Sequence, residues 1–241
     1  MGVAIETVLE PIRSLFFPAH CAHCARSVGE GMDLCGACAQ AIERVREPRC
    51  ETCSQPFDGA VSSNFVCPNC RQEGFSFQCA VAVVRSHETI RDLVHRLKYG
   101  REMWIARVLA AIQLEGFSDP RLSDGAIDAL VPVPLHPRRM RERQFNQAAV
   151  LADHLSRSTG IPVRECLRRM RYTGTQTRLG RKARRQNLRE AFAPLKNSDV
   201  TGMDLLLVDD VLTTGSTLDA CAAILLENGA RSVRALTVAR G

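Results

Sequence analysis

The sequence predicts an α/β domain built on a parallel sheet, preceded by a small cysteine-rich module that apolar packing alone cannot stabilise. Three observations carry this reading. Closely spaced cysteine pairs are confined to residues 21–70, strand-like and helix-like patterns alternate from residue 79 onward, and one wholly apolar strand ends in two aspartates. The 241 residues, 45% of them apolar, suffice for one full domain and a smaller module.

Residues 1–18 read as an amphipathic helix that packs Val8, Leu9, Ile12, Leu15 and Phe16 onto the remainder. Glu6 and Glu10 interrupt its apolar face, and it has neither a basic leader nor a small-residue cleavage site, so it is not expected to act as a secretory signal. No stretch approaches the roughly 20 apolar residues that a membrane span requires. The expected setting is the cytoplasm, where structural disulfides are not expected.

Residues 19–73 carry eight of the eleven cysteines, as four C-x-x-C pairs: Cys21/Cys24, Cys35/Cys38, Cys50/Cys53 and Cys67/Cys70. Chance would supply about half of one such pair. Two cysteines on a tight knuckle place both sulfurs about 2.3 Å from one zinc ion, and two knuckles close a tetrahedral, structural site. The spacing suits two consecutive zinc ribbons, each too small to fold without metal. Sequential pairing, with Cys21, Cys24, Cys35 and Cys38 on one ion and Cys50, Cys53, Cys67 and Cys70 on the other, is preferred to an interleaved arrangement, which the spacing also permits. A redox-active pair would come singly beside a βαβ pattern. His23 is expected to be a bystander, and Cys79, Cys166 and Cys221 to be buried, inert thiols.

From residue 79 to 241 the pattern is that of an α/β domain. Residues 79–84 read as a buried strand, Ile90, Leu93, Val94 and Leu97 recur at helical spacing, and 104–114 form a second helix. After a polar turn at 118–125, residues 127–135 form a strand stopped by Pro132, Pro134 and Pro137, and 147–157 a helix. Residues 168–189 show no clean period and read as a long mobile loop. The last unit is strand 205–208, a turn, helix 216–228 and strand 233–238. Charge is uneven: residues 138–189 hold fifteen Lys and Arg against three acids, a local +12 in a chain of net +6, so the remainder sums to −6. Such a block suits a polyanion, either a pyrophosphate-bearing metabolite or a nucleic-acid backbone.

The chemistry concentrates in the run from Leu205 to Thr217. Four apolar residues form a strand buried on both faces, and Asp209 and Asp210 follow at its carboxyl end, the edge where open α/β sheets bind ligands. Paired acids there accept hydrogen bonds from ribose hydroxyls. The following turn is hydroxyl-rich, Gly215 permits close backbone approach, and the helix that opens after it attracts a phosphate through its amides and dipole. Thr213, Thr214, Ser216 and Thr217 add side-chain donors. No Gly-Lys-Ser/Thr follows, so this is not a Walker A loop.

This run resembles the 5-phosphoribosyl-1-pyrophosphate (PRPP) motif of type I phosphoribosyltransferases, which implies a Rossmann-like phosphoribosyltransferase fold. The binding run it implies is Asp209, Asp210, Val211, Leu212, Thr213, Thr214, Gly215, Ser216 and Thr217. Asp209 and Asp210 would take the ribose, and residues 212–217 would wrap the 5-phosphate. Lys98-Tyr99-Gly100, Val131-Pro132-Val133-Pro134-Leu135 before Arg138 and Arg139, Arg143-Gln144-Phe145-Asn146-Gln147, and Arg184-Arg185-Gln186-Asn187 before Ala191-Phe192, together with the ribbons, are similar to the ComF family over nearly the whole chain. Gln144 stands where that family usually has Gly.

The resemblance implies that Lys98, Tyr99 and Gly100 form the pyrophosphate loop. In a transferase, pyrophosphate would leave C1 of the ribose through an oxocarbenium-like state. Magnesium, Lys98 and the loop residues Arg181, Arg184 and Arg185 would stabilise the leaving group, while Asp210 would stabilise charge on the sugar. Plain alternatives stand beside these roles: Lys98 as a solvated helix-end lysine, Asn146 as a helix cap, and the three arginines as a solvated face or a nucleic-acid contact. Three functions follow: a magnesium-dependent phosphoribosyltransferase with an unidentified acceptor, a non-catalytic PRPP-responsive regulator, or a competence factor that handles incoming single-stranded DNA or contacts a helicase-like partner. The 5% aromatic share weighs mildly against single-strand stacking.

Overall fold

The computed structural model describes residues 19–57, 59, 65–171, 188–196 and 198–241. The amino-terminal helix expected at 1–18 lies outside them.

In each ribbon the second knuckle starts a short helix, α1 (Gly36–Gln40) after Cys35 and α2 (Pro68–Glu73) after Cys67. Pro68 occupies the first turn of α2, where its missing N–H costs nothing, and Gly74 closes the helix at φ +58°, a conformation glycine adopts without a Cβ penalty. The α/β domain then runs β1 (Ala80–Arg85), α3 (Glu88–Gly100), α4 (Ile105–Leu114), a 3₁₀ turn (Glu115–Ser118), α5 (Pro120–Ser123), β2 (Ala129–Pro132), α6 (Pro137–Arg143), α7 (Gln147–Thr159), β3 (Leu167–Arg169), β4 (Phe192–Pro194), β5 (Asp204–Leu212), α8 (Ser216–Glu227) and β6 (Ser232–Arg240).

Four strands form one parallel sheet in the order β1-β6-β5-β2. Helical crossovers cover both faces, which is why these strands are apolar runs rather than alternating ones. Val81, Val83, Leu130, Leu206, Val208 and Leu236 face α3, α4 and α7. Ala80, Ala82, Val131, Leu205, Leu207 and Ala235 face α8, the β3–β4 pair and the second cysteine cluster. Both outer edges are covered. Pro162 O accepts from Leu130 N on the β2 side, while on the β1 side Val45 N donates to Val83 O and Thr52 O accepts from Ala80 N.

Several expectations change. The strand read as 205–208 continues through both aspartates to Leu212, because β6 pairs with it along its length (Asp209 with Thr237, Leu212 with Arg240). The strand read as 127–135 shortens to β2, whose last residue is Pro132. Of the loop read as 168–189, Arg168 and Arg169 belong to β3, which pairs antiparallel with β4, while residues 172–187 lie outside the described residues. Helix α6 was not foreseen. Its start is set by Pro137 and by the His136 side chain, which accepts from Arg138 N. Gln144 ends it at φ +70°, a left-handed conformation that glycine adopts without a Cβ penalty. Cys79, Cys166 and Cys221 are buried, and burial raises all three thiols.

Candidate functional site

Strand β5 delivers Asp209 and Asp210 to the carboxyl edge of the sheet, where they open into a cleft of about 380 Å³. Asp209, Asp210, Thr213 and Thr217 line it. The lining also holds four cations, Lys98 from the end of α3, Arg139 and Arg143 from α6 and Arg169 from β3, with His136 from the α6 cap beside them. Cations thus outnumber the acids, and the local field favours a polyanion.

Asp210 is 3% exposed, a position where an unpaired carboxylate would be costly. Its Oδ2 pairs with Lys98 Nζ, and its Oδ1 accepts from Gln147 Nε2 at 3.4 Å. Arg143, itself buried, donates to Gln147 Oε1 at 2.8 Å and to the Tyr99 hydroxyl at 3.4 Å, and its guanidinium lies 5.1 Å from the Tyr99 ring centroid. One network therefore joins the end of α3 to Asp210. Burial pushes Asp210 up, but Lys98 and hydrogen bonds from Asp209, Lys98 and Gln147 hold it below its ordinary value. Burial and the adjacent negative charge of Asp210 push Asp209 well above the usual carboxylate range. The two shifts run in opposite directions, as expected of adjacent carboxyl groups of which one is paired with a cation. Burial would raise the Tyr99 phenol, yet Arg143, Arg139 and Lys98 hold it below its ordinary value.

After β5 the chain turns through Thr213, Thr214 and Gly215. Gly215 sits at φ +82°, which a side chain would strain. Thr214 Oγ1 and Ser216 Oγ lie 3.0 Å apart, and Ser216 N donates to Thr214 Oγ1 at 3.4 Å. Arg240, from the end of β6, donates to the carbonyls of Leu212 at 3.0 Å and Thr213 at 2.7 Å. Those carbonyls, whose negative ends would repel a phosphate, are held by a cation, and the twelve-residue α8 begins immediately afterwards.

Lys98, Tyr99 and Gly100 are placed in the last turn of α3 rather than in a loop, and the left-handed residue that ends the helix is Arg101, φ +57°. Lys98 reaches the cleft, whereas Gly100 is exposed and absent from its lining. Leu212 is buried and Val211 lines the cleft. Asn146 caps α7, its Oδ1 accepting from Ala148 N at 3.1 Å, while its Nδ2 donates to Val133 O at 3.0 Å. Arg181, Arg184 and Arg185 lie outside the described residues. Sequence reasoning gave no role to Gln147, Arg169, Arg240 or Gln113. Gln113 is fully buried on α4 and donates to Asp209 O at 3.1 Å and Leu236 O at 2.9 Å, pinning β5 to β6 beside the acids. A polar residue within the apolar carboxyl-terminal half of that helix was its only signal.

The cysteines assemble sequentially: Cys21, Cys24, Cys35 and Cys38 form one cluster and Cys50, Cys53, Cys67 and Cys70 the other, with the sulfurs of each within 4.8 Å of one another. Sulfur separations of 3.7 Å between Cys24 and Cys35, Cys50 and Cys70, and Cys53 and Cys67 match the edge, roughly 3.75 Å, of a tetrahedron with zinc–sulfur bonds near 2.3 Å. The residues fit structural zinc with no open position. His23 stands outside the first cluster and contacts Asp92 at 3.2 Å.

Residues 12–71 match the double zinc ribbon domain and residues 146–241 the phosphoribosyl transferase domain. The chain is 31% identical to "Competence protein F" of Haemophilus influenzae, across 93% of this chain and 98% of that protein. It is 35% identical to "DNA utilization protein YhgH" of Salmonella typhimurium, across 86% of this chain and 90% of that protein. Among solved structures, a purine phosphoribosyltransferase from Pyrococcus horikoshii aligns with 16% identity and a TM-score of 0.34, covering 55% of this chain and 70% of that one.

Proposed function

Since the chain belongs to the competence protein F (ComF) family, we propose that its α/β domain binds PRPP, or a close relative bearing a ribose 5-phosphate, together with magnesium, and that it serves DNA uptake in the cytoplasm. The observation that carries this reading is the cleft itself. Two acids line it with a hydroxyl-rich turn at a helix amino terminus, together with four Lys and Arg side chains and a histidine. Acids for a diol, a turn for a phosphate and cations for a pyrophosphate describe one ligand.

In that complex Asp209 and Asp210 accept from the ribose hydroxyls, while the 213–217 turn and the hydroxyls of Thr213 and Thr217 hold the 5-phosphate. Lys98, released from Asp210, joins Arg139, Arg143 and Arg169 against the pyrophosphate. Magnesium supplies charge neutralisation on the leaving group when bound. If an acceptor attacks C1, the C1–O bond to pyrophosphate breaks, its electron pair leaves on the pyrophosphate oxygen, and these cations stabilise that charge. A second reading, in which occupancy is the signal and nothing turns over, draws on the Lys98–Asp210 pair. Breaking that pair on binding gives the protein two distinguishable states, one of which would present its basic surface to single-stranded DNA or a helicase-like partner.

Calorimetric titration of the zinc-loaded protein with PRPP and magnesium, beside the Asp209→Ala, Asp210→Ala double variant, tests the common part. Saturable binding lost in the variant is expected. A folded wild type that takes up no PRPP would overturn the reading. Pyrophosphate release on addition of candidate acceptors separates transferase from regulator.

A further inference from the structure

The second ribbon does not end at its last cysteine. Five residues beyond Cys70, Phe75 and Phe77 stack on each other with ring centroids 4.7 Å apart, and both reach the phosphate turn. A Cβ built on Gly215 would lie 3.1 Å from Phe75 Cζ and 3.6 Å from Phe77 Cζ, so the aromatic pair lies against the turn at its glycine. Between the two rings, Ser76 N donates to Asp219 Oδ1 at 2.7 Å. Asp219 is 3% exposed and stands one helical turn after Gly215, its own N–H donating to Gly215 O at 2.9 Å. Thr217, two residues from either, faces the cleft from the other side of α8. The segment therefore supports the turn on the side away from the ligand. Phe77, Leu212, Leu218 and all four cysteines of the second cluster share one apolar cluster.

We propose that the second cysteine cluster and the phosphate turn are one structural unit, in which Phe75, Ser76 and Phe77 act as positioning residues that make the grip on a 5-phosphate depend on metal in the second ribbon. The ligand side of this rests on the ribose-phosphate reading above. The physical basis is the two-state character of small zinc modules, which lose their packing with their metal. A ribbon without metal cannot hold residues 75–77 against Gly215 and Asp219, and the turn loses its support. Linkage makes the effect reciprocal: a ligand whose affinity rises with zinc in the second cluster must raise that cluster's affinity for zinc by the same factor.

The test uses the full chain with both clusters loaded and three readouts: amide hydrogen exchange over 213–218, affinity for magnesium–PRPP, and zinc release to a chromogenic chelator. Phe75→Ala leaves every cysteine in place. It is expected to retain its zinc, to speed exchange over 213–218 by about tenfold and to weaken PRPP binding by about tenfold. In the wild type, staged chelation is expected to release zinc in two phases. Exchange over 213–218 should rise with the phase that empties the second cluster, and PRPP should slow that phase. Wild-type exchange over 213–218 in the zinc-loaded Phe75→Ala variant would overturn the proposal. If exchange couples as expected while the wild type binds no PRPP, the structural unit stands and the ribose-phosphate reading falls. If PRPP binds tightly to Phe75→Ala and exchange is unchanged, the reverse holds.

Discussion

The two ribbons use the same four-thiolate chemistry and are embedded in opposite ways. The first forms a small apolar cluster of its own with Val28 and Leu34, and its Cys24 is exposed. It docks onto α3 and α4 through Ala22 and Leu34, which pack into the core beneath those helices, and through polar contacts of His23 with Asp92, Arg96 with the Ala22 carbonyl, and Arg107 with Asp33. The second has all four cysteines buried and part of the same apolar cluster as the sheet. It also supplies the missing neighbour of β1, with Ser54 Oγ donating to Ala80 O at 2.9 Å and accepting from Ala82 N at 3.2 Å. Metal in the first ribbon organises a local module, whereas metal in the second organises part of the α/β domain.

The largest expected effect tests that contrast directly. Structural zinc contributes about 10–16 kcal/mol of apparent binding free energy, comparable with the roughly 5–15 kcal/mol net stability of a whole domain. Cys53→Ser, at the ligand within the main core, is expected to abolish the cooperative thermal transition of the full chain. Cys24→Ser is expected to lower zinc from two ions to one and to keep that transition. Differential scanning calorimetry with zinc quantification reads both. Equal losses in the two variants would show that the ribbons are energetically alike despite their different burial.

A smaller effect lies in the polar joint between the second ribbon and the domain. Asp119 Oδ2 accepts from Arg49 at 2.5 Å and from Arg121 at 2.8 Å, and Arg121 reaches on to the carbonyl of Glu51 at 2.8 Å and to Ser54 Oγ at 2.9 Å. The Asp119 side chain is only 6% exposed. Removing it by Asp119→Ala leaves two largely buried guanidinium groups without their shared carboxylate, a cost of about 3–5 kcal/mol by denaturant titration. Burial would raise this carboxyl, but Arg121 and Arg49 hold it below its ordinary value. Its contribution is therefore fully present above the unfolded-state value near pH 4 and is lost as pH falls through the lower folded-state value. Asp119→Asn is expected to flatten that part of the stability profile. An unchanged acid limb would locate the titration elsewhere.

Much of this was legible before any coordinates, and the exceptions have physical reasons. The cysteine spacing implied two sites, and the apolar runs at 80–84 and 205–208 were strands because nothing but a doubly covered sheet buries such runs. The extension of β5 through Asp209 and Asp210 was not legible, since aspartate disfavours strands and only pairing with β6 overrides that preference. The Lys98–Asp210 pair joins residues far apart in sequence, a tertiary contact that periodicity cannot carry. Phe75 and Phe77 were given no role by the sequence reading. Their meaning depends on Gly215, whose lack of a side chain was readable while the ring against it was not.

The smallest effect belongs to the first ribbon's joint. Arg107 contacts Asp33 across the module boundary, but its side chain is 66% exposed, against 18% for Arg121 at the second joint. An exposed pair gains little Coulomb energy in water, loses rotamer freedom in forming, and is screened within about 8 Å at physiological ionic strength. Arg107→Ala is therefore expected to cost less than about 1 kcal/mol, with the difference disappearing near 1 M salt, while the Asp119→Ala penalty persists there. Denaturant titrations of both variants at low and high salt make the comparison. A salt-resistant penalty for Arg107→Ala matching that of Asp119→Ala would mean that the first ribbon is held as firmly as the second, and that burial of the cysteines, rather than of the joints, is what distinguishes them.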